Sequence, residues 1–307
     1  MSKICIIHSD YPPLNFIIGG IKHPDIQTIC LKRIKNTFWR SCMRKFCLIS
    51  GLCWTQCWRY IDKESLKRLS TVEEDSKVII IDNKRMVVLR IIHRLLPQSA
   101  EKHLFYWTPV CQIFHRLHSK EIAAHLSSIS QMYHIGSFNA NDKVFYPNIA
   151  VKSAFYRFPV ATTLMDIKGQ GLYFIGYEKG RTALLQKYKS IFEAFGLPCT
   201  FLIYKRRDKG ISYEENIERV ARCQCIVDIT IDQAGLSLRP LEALFFNKKL
   251  ITNNKGVKQY SFYHPDNIFI LEEDNIELLP SFINKPLYAV SEEIKRSFDI
   301  NDWALNY

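Results

Sequence analysis

Residues 225–254 constrain the fold more than any other stretch, because they combine a strand, a turn, a helix start and a second strand. The run at 225–229 is apolar and β-branched, which is typical of a buried strand. Gly235 marks a turn, Ser237 is a candidate helix N-cap, and 250–252 predicts the second strand. This order predicts an α/β unit whose loop and helix N-terminus lie at the carboxyl edge of a sheet. Such edges bind phosphorylated ligands, because free N–H groups and the helix dipole favour anions.

Similar strand and helix patterns recur along the chain, which predicts an α/β protein. Strand patterns lie at 4–7, 77–82, 103–107, 131–135, 172–176, 201–204 and 268–271, and helix patterns at 86–96, 182–195 and 213–220. With 307 residues, the chain is long enough for two α/β domains that each have a core. The sequence changes character around 148–159, so we predict one domain over 1–155 and a second over 156–307.

The composition indicates a globular protein with an anionic partner. Apolar residues make up 47% of the chain, and the net charge of +12 favours nucleic acid, acidic lipid or a phosphorylated substrate. The ten cysteines are scattered through strand and helix patterns, and neither a secretory leader nor an apolar run of about 20 residues is present. We therefore expect a cytoplasmic protein with reduced thiols. Cys53 and Cys57 lack the close pairing that is typical of zinc sites, so we expect no metal site.

A second candidate anion site follows the strand at 172–176. Lys179, Gly180 and Arg181 stand between this strand and the helix that is predicted from Thr182. A strand, a loop with cationic side chains and a helix N-terminus together favour the binding of phosphate groups.

Together, these two segments resemble the donor-binding motifs of GT-B glycosyltransferases, and the resemblance covers residues 171–275. It implies two Rossmann-like domains facing a cleft, and a transferase of the hexosyltransferase type that uses a nucleotide-diphosphate sugar as donor substrate. It implies no separate cofactor and no metal ion. In that family, the two segments contact the diphosphate, the nucleobase, and the ribose or the sugar. The resemblance therefore assigns donor binding to Lys179, Arg181, Tyr204, Gly235, Leu236, Ser237, Leu238 and Glu242. The alternative is an ordinary α/β unit in which Glu242 is a solvated first-turn carboxylate.

Three residues at the ends of predicted strands are candidates for a catalytic base. His8 and Asp10 follow the strand at 4–7, and Asp82 ends the strand at 77–82. If the enzyme inverts, one of them must deprotonate the acceptor hydroxyl, whereas a retaining enzyme requires no such base. Loop solvation and turn geometry are the alternative explanation for His8 and Asp10.

Residues 28–60 mix basic side chains with tryptophan and phenylalanine. This mixture predicts contact with an anionic membrane surface through Lys32, Arg33, Lys35, Trp39, Arg40, Arg44 and Lys45. In addition, a strand that ends in Tyr106 and Trp107 before Pro109 is similar to a group of bacterial lipopolysaccharide and capsule glycosyltransferases. This similarity implies a glycan or glycolipid acceptor, and the basic, tryptophan-rich segment predicts a peripheral position on the inner face of the cell membrane.

Two other interpretations of residues 28–60 stay open. One is an amphipathic helix that covers the sheet and carries a solvated basic face. The other is a basic nucleic-acid-binding α/β protein without catalysis, in which the aromatic rings stack on bases. No helix-turn-helix, zinc-finger or RNP pattern supports a nucleic-acid partner.

Overall fold

The structure, a computed structural model, describes residues 3–32, 34, 38–39, 42–43, 57–159, 169–205, 208–231 and 235–307. The chain divides into two compact units: Met1–Ser153 together with Ala304–Tyr307, and Ala154–Trp303. Residues 304–307 therefore return to the first unit. There the Tyr307 ring packs edge-on against Phe105, and the Lys152 ammonium donates a hydrogen bond to the Tyr307 carbonyl oxygen at 2.7 Å. Among the described residues, no helix is long and apolar enough to cross a membrane.

The first unit is built on a parallel sheet. Its described strands are β1 (Ile4–Ser9), β2 (Ile26–Leu31), β3 (Lys77–Ile81), β4 (Glu101–Tyr106), β5 (His134–Ser137) and β6 (Ala150–Val151). They lie in the order β2-β1-β3-β4-β5-β6. β1 and β3 consist almost wholly of buried apolar residues, as expected of central strands that are covered on both faces. The strand order reverses between β1 and β3.

Several α-helices accompany the sheet of the first unit. They are α1 (Pro12–Ile18), α2 (Lys63–Leu69), α3 (Met86–Leu95), α4 (Val110–Ile113) and α5 (Ser119–Ser130), with 3₁₀ turns at Cys57–Arg59 and Ala140–Val144. α2 begins at Asp62, whose carboxylate accepts a hydrogen bond from the Ser65 N–H and so satisfies a free donor of the first turn. α3 buries Val88, Leu89, Ile91 and Ile92 against the core.

The second unit repeats the same plan. Its strands are β7 (Leu172–Tyr177), β8 (Cys199–Tyr204), β9 (Cys225–Asp228), β10 (Lys249–Thr252) and β11 (Ile268–Ile270). Its helices are α6 (Thr182–Ala194), α7 (Tyr213–Arg222), α8 (Leu238–Phe245), α9 (Leu279–Asn284) and α10 (Glu292–Arg296), with 3₁₀ turns at Lys255–Gln259 and Ile276–Leu278. A last helix, α11 (Ile300–Leu305), begins in this unit, and its final two residues belong to the first unit. The parallel strands lie in the order β11-β10-β9-β7-β8, which reverses between β7 and β9.

The predicted architecture is confirmed, since the chain is an α/β protein with two parallel, doubly wound sheets. Two predicted elements differ from the structure in part. Residues 131–133 are not part of a strand, because the N–H groups of Met132 and Tyr133 donate back to the Ile129 carbonyl oxygen and extend the end of α5. The alternative of an amphipathic helix over 28–60 does not hold at its start, because residues 28–31 belong to β2, which pairs with β1, whereas the described residues 38–39 and 42–43 are helical.

Candidate functional site

The reversal of strand order between β7 and β9 leaves a crevice at their carboxyl ends, where ligands of α/β proteins bind. β7 pairs with β8 over six residues, but in the described part of the sheet it pairs with β9 at two positions only. These positions are Leu172↔Cys225 and Tyr173↔Ile226. We call the space between the carboxyl-terminal parts of these two strands the β7–β9 gap. Backbone carbonyl groups that face it need donors from elsewhere.

Two arginine side chains fill the β7–β9 gap. Arg181 donates from Nε and Nη2 to the Tyr177 carbonyl oxygen at 3.3 and 3.1 Å, and from Nη1 to the Ile229 carbonyl oxygen. Arg239 donates from Nε to the Ile175 carbonyl oxygen at 3.0 Å. The two guanidinium groups therefore donate to backbone carbonyl groups that no neighbouring strand reaches. These carbonyl groups belong to β7 and to Ile229, the residue after β9.

Asp228, the last residue of β9, pairs directly with this cationic cluster. It is completely buried, and its Oδ1 accepts hydrogen bonds from Arg239 Nη1 at 3.0 Å and from the Ser237 hydroxyl at 2.8 Å. Burial and the neighbouring Arg239 lower the pKa of Arg181 to about 10, and Asp228 opposes this effect. Arg181 is therefore still protonated at neutral pH. In the described part of the chain, Asp228 therefore bonds directly to Arg239, whereas it acts on Arg181 through its charge.

Gly176 leaves the room that both guanidinium groups need. A Cβ atom at this position would lie 2.5 Å from Arg239 Nη2 and 2.9 Å from Arg181 Nη2. Both groups also lie over the Phe174 ring, with the Cζ atoms of Arg181 and Arg239 at 5.2 and 4.7 Å from its centre. The ring face adds a cation–π attraction that holds the two like charges side by side.

The loop after β7 carries the other predicted donor contacts. Lys179 is exposed and has a φ of 42°, in the left-handed region. This conformation costs a non-glycine residue about 1 kcal/mol, and such strain is frequent at functional positions. The Glu178 N–H donates to the Tyr204 carbonyl oxygen at 2.9 Å, so the ends of β7 and β8 lie together. The structure thus brings Lys179, Arg181 and Tyr204 to one sheet edge, although the Arg181 guanidinium turns inward.

The N-terminus of α8 lies at the same edge. Ser237 occupies the N-cap position, but its hydroxyl donates to Asp228 and does not accept a hydrogen bond from the first turn. Within the described residues, the first-turn N–H groups of α8 have neither a side-chain cap nor an acidic neighbour in that turn. The preceding Gly235 and Leu236 are buried, and the Asn254 amide donates to the Gly235 carbonyl oxygen at 3.1 Å. Leu238, the first helical residue, is half-buried.

Glu242 lies on α8 in a buried polar network. Its side chain is 2% exposed, and Oε1 accepts hydrogen bonds from the Tyr213 hydroxyl at 2.9 Å and the Asn216 amide at 3.1 Å. The Tyr213 hydroxyl also lies 3.0 Å from that of Tyr156. Burial raises the pKa of Glu242, while the bond from Tyr213 and the charge of Arg239 oppose this rise. The alternative of a solvated first-turn carboxylate is therefore wrong, and contact with a donor ribose stays a prediction.

The candidate bases of the first unit lie at the ends of β1 and β3, where its strand order reverses. His8 is buried, its Nδ1 lies 3.2 Å from the Ser9 carbonyl oxygen, and burial lowers its pKa. Asp10 is exposed, and its Oδ1 accepts a hydrogen bond from the Asn15 amide at 2.7 Å. Of the three candidates, Asp10 therefore presents its carboxylate most openly to solvent.

Asp82, the third candidate base, ties the end of β3 to the end of β4. Its Oδ1 accepts hydrogen bonds from the N–H groups of Trp107 and Thr108 at 2.7 and 3.1 Å, and its Oδ2 accepts one from the Thr108 hydroxyl at 2.7 Å. Burial raises the pKa of Asp82 to about 6, and these donors oppose the rise. A carboxyl group with this pKa exchanges a proton near neutral pH, as a general base must. The same hydrogen bonds give Asp82 a structural role.

Few of the residues that were assigned to a membrane surface fall in the described ranges. The Lys32 ammonium lies 2.5 Å from Glu64 Oε2, and Trp39 is 77% exposed. The remaining candidates, Arg33, Lys35, Arg40, Arg44 and Lys45, lie outside the described residues. Contact with a membrane stays a prediction.

Arg239, Asp228 and Gly176 were not among the site residues predicted from the sequence. A signal for Arg239 was present, because this cation stands in the first turn of a helix. The helix dipole disfavours a positive charge there by about 0.3–1 kcal/mol. Such a placement indicates a nearby carboxylate, which Asp228 supplies. No comparable signal marks Gly176, because the approach of two side chains to one backbone position is a property of the tertiary structure.

No protein-family model and no curated protein matches the chain. Among solved structures, it is similar to an α-glucosyltransferase in complex with UDP and a 13-mer DNA containing an HMU base. The TM-score is 0.46 at 10% identity, over 99% of this chain and 94% of that chain. It is also similar to accessory secretory protein 1, 2 and 3 of Streptococcus pneumoniae, with a TM-score of 0.40 at 12% identity, over 78% of this chain and 51% of that chain. Both TM-scores are too low to assign the chain to a family.

Proposed function

We propose that this protein is a glycosyltransferase of the GT-B type that moves a hexose from a nucleotide-diphosphate donor to a glycan acceptor without a metal ion. The observation that supports the proposal best is the charge at the β7–β9 gap. Arg181 and Arg239 lie there with Asp228 as a directly bonded carboxylate. Lys179 and the N-terminus of α8 lie at the same sheet edge. Cationic side chains beside helix N–H groups favour a bound diphosphate.

The rest of the donor would extend from this anion site along the same edge. Tyr204, at the end of β8, is the proposed neighbour of the nucleobase. The segment Gly235, Leu236, Ser237 and Leu238 leads into α8, and we place the ribose or the sugar beside this segment and Glu242. Because Glu242 is 2% exposed, it would reach the donor only if its bond to Tyr213 or Asn216 were exchanged for a donor hydroxyl.

The same groups would act on the reaction itself. When the bond between the anomeric carbon and the diphosphate oxygen breaks, the leaving group takes the electron pair and gains negative charge. The Lys179 ammonium and the first-turn N–H groups of α8 would stabilise that charge where it develops, which is the role that a metal ion has in other transferases. In an inverting reaction, the acceptor oxygen attacks the anomeric carbon and its proton passes to a base. His8, Asp10 and Asp82 are the candidates for that base.

The acceptor that we propose is a lipid-linked or surface glycan of the lipopolysaccharide or capsule type. Its support is the sequence similarity at Tyr106 and Trp107, together with the basic and aromatic composition of residues 28–60. Phe38 and Trp39 are 76% and 77% exposed, as side chains that insert into a lipid headgroup layer would be. The proposal therefore includes a peripheral position on the inner face of the cell membrane.

Nucleotide binding tests the proposal directly. The Tm of the full chain is measured with UDP, GDP, CDP and CMP, free and as sugar conjugates, with and without EDTA. A ligand that binds only the folded state raises the Tm, and we expect one nucleotide class to do so regardless of EDTA. Lys179→Ala should remove this shift, because the Lys179 side chain is exposed and its loss leaves the β7–β9 gap intact. The matched control is Lys187→Ala, at an exposed lysine of α6.

The outcomes separate the interpretations. An unchanged nucleotide shift in Lys179→Ala would remove Lys179 from the donor site. No shift with any nucleotide, together with binding to an oligonucleotide that weakens steeply with salt, would replace the transferase by the nucleic-acid interpretation. Release of nucleoside diphosphate from the donor that binds, in the presence of glycan acceptors, then measures turnover.

A further inference from the structure

The second unit contains a cavity of about 410 Å³ that lies apart from the proposed donor site. Its walls include Leu244 of α8, Leu250 and Ile268 at the start of β10 and β11, and the extended segment 287–290. The donor site lies at the carboxyl ends of the strands, whereas Leu250 and Ile268 stand near their amino ends. The cavity is therefore a separate place on the same unit.

Two lysine side chains line this cavity, although both are more than nine-tenths buried. Lys248 is 7% exposed and Lys295 is 6% exposed. The Lys295 ammonium donates hydrogen bonds to Asn247 Oδ1 and to Glu292 Oε1, each at 3.2 Å. Asn247 directly precedes Lys248 in the turn from α8 into β10, where Asn247 has a φ of 51°. Among the described residues that line the cavity, two cations thus accompany one carboxylate.

The lysines carry their charge in surroundings that strengthen an ionic contact. Both side chains are more than nine-tenths buried, and burial lowers the pKa of Lys248, an effect that the nearby Cys223 opposes. Coulomb attraction between an ammonium and an anion is several times stronger in such surroundings than in bulk water. An anion that enters the cavity therefore gains more from these lysines than it would at an exposed lysine pair.

The remaining walls are apolar in part and are held in place. The Asn267 amide donates to the Tyr288 carbonyl oxygen and its Oδ1 accepts from the Tyr288 N–H, each at 2.8 Å. The His264 ring stacks on the Tyr288 ring with a centroid distance of 3.9 Å. These contacts fix the 287–290 wall, and Phe262 adds a buried aromatic side chain. Walls that are formed in advance are usual for small-molecule sites.

We propose that this cavity binds a small molecule that carries one anionic head, a carboxylate or a phosphate, on an apolar body. The head lies at the Lys248 and Lys295 ammonium groups, and the body lies against Leu244 and Phe262. The volume is near the lower end of the range of about 300–1,000 Å³ for ligand pockets, which suits a substituted ring. The inference does not depend on the proposed transferase activity, because the cavity and the donor site use different residues.

Calorimetric titration of the full chain tests this inference with three probes of similar size. Phenyl phosphate and benzoate carry the anionic head, and benzyl alcohol is the neutral control. We expect each anion to bind at least about tenfold more tightly than benzyl alcohol, because a desolvated charge pair contributes strongly to affinity. Lys248→Met and Lys295→Met should each remove that preference. Lys187→Met, at an exposed lysine of α6, should retain it.

Charge and packing are separated by Lys248→Arg, which keeps the positive charge and should keep the preference for the anions. Tighter binding of phenyl phosphate than of benzoate would identify the anionic head as a phosphate. Tighter binding of benzoate would identify it as a carboxylate. Equal affinity of the unmodified protein for benzyl alcohol and for both anions would overturn the inference. No binding of either anion at millimolar concentration would overturn it as well, and both results are independent of whether the variants fold.

Discussion

The Asp228→Asn variant removes one negative charge from the β7–β9 gap and leaves the side-chain shape almost unchanged. Asp228 is completely buried, and Arg239, its partner at 3.0 Å, is 14% exposed. Neutralising one partner of a buried ion pair costs about 3–5 kcal/mol, because the other charge stays buried without compensation. Arg239 keeps its hydrogen bond to the Ile175 carbonyl oxygen, so we expect the lower value, about 3 kcal/mol.

Urea denaturation of the full chain measures this loss as a fall in the free energy of unfolding. In a thermal scan, the Tm should fall by roughly 6–12 °C for a unit of this size. The matched control is Glu215→Gln on α7, which breaks the ion pair between Arg219 and Glu215. Those two groups are closer, at 2.8 Å, but their side chains are 40% and 45% exposed. Solvent screening therefore limits the expected loss in the control to about 0.5 kcal/mol.

A double-mutant cycle with Arg239→Met separates the ion pair from other effects of each substitution. We expect a coupling energy of about 2 kcal/mol between Asp228 and Arg239, within the range for residues in one charged network. If Asp228→Asn lost no more free energy of unfolding than Glu215→Gln, the conclusion that a desolvated ion pair holds the β7–β9 gap would be refuted.

Three further predictions concern single residues. Gly176→Ala should lower the free energy of unfolding by about 1–3 kcal/mol, because the new Cβ would displace two guanidinium groups. In the control Gly210→Ala, the Tm should change much less, because the new Cβ meets only ordinary van der Waals contacts. Burial raises the pKa of Asp82 from 3.8 to about 6, so the folded state binds the Asp82 proton more tightly than the unfolded state does, and the free energy of unfolding falls as pH rises through this window. In urea titrations at a series of pH values, Asp82→Asn should make this fall less steep. An unchanged pH dependence would assign the fall to other groups. Lys179→Gly should relieve a φ of 42° and raise the stability by up to about 1 kcal/mol while the nucleotide-induced Tm shift is lost. Asp75→Gly, at a φ of 58°, should raise the Tm without affecting nucleotide binding, and a fall in both variants would contradict the argument from strain.

Most strands could be predicted from the sequence, because a strand that is covered on both faces must be apolar along its whole length. The runs at 4–7, 78–81 and 172–176 meet this condition, and each became part of a strand of a parallel sheet. In the run at 131–135, only His134 and Ile135 became part of a strand, because short apolar segments fit either a strand or the end of a helix. There the backbone N–H groups found an acceptor at Ile129, one turn back, which local composition does not specify.

The positions of the candidate site residues could be predicted, but the directions of their side chains could not. Lys179, Arg181 and Tyr204 follow strand ends, so chain order alone brings them to one edge. The inward turn of Arg181 depends on where β7 and β9 stop pairing, which no local pattern encodes. The burial of Glu242 was equally hidden, because all residues of α8 from Pro240 to Phe245 are buried and the helix has no exposed face in that part.

The return of residues 304–307 to the first unit affects how the chain can fold on a ribosome. The second unit, Ala154–Trp303, is continuous and is synthesised before Tyr307 emerges. At about 5–20 residues per second, its synthesis takes roughly 8–30 s. During that time, the surface at Phe105 and Gly136 that the Tyr307 side chain covers stays open to solvent. The first unit therefore exposes an apolar patch, which a chaperone can bind, until Tyr307 has been synthesised. Tyr307 stands more than 150 positions after Lys152, its hydrogen-bond partner in the first unit.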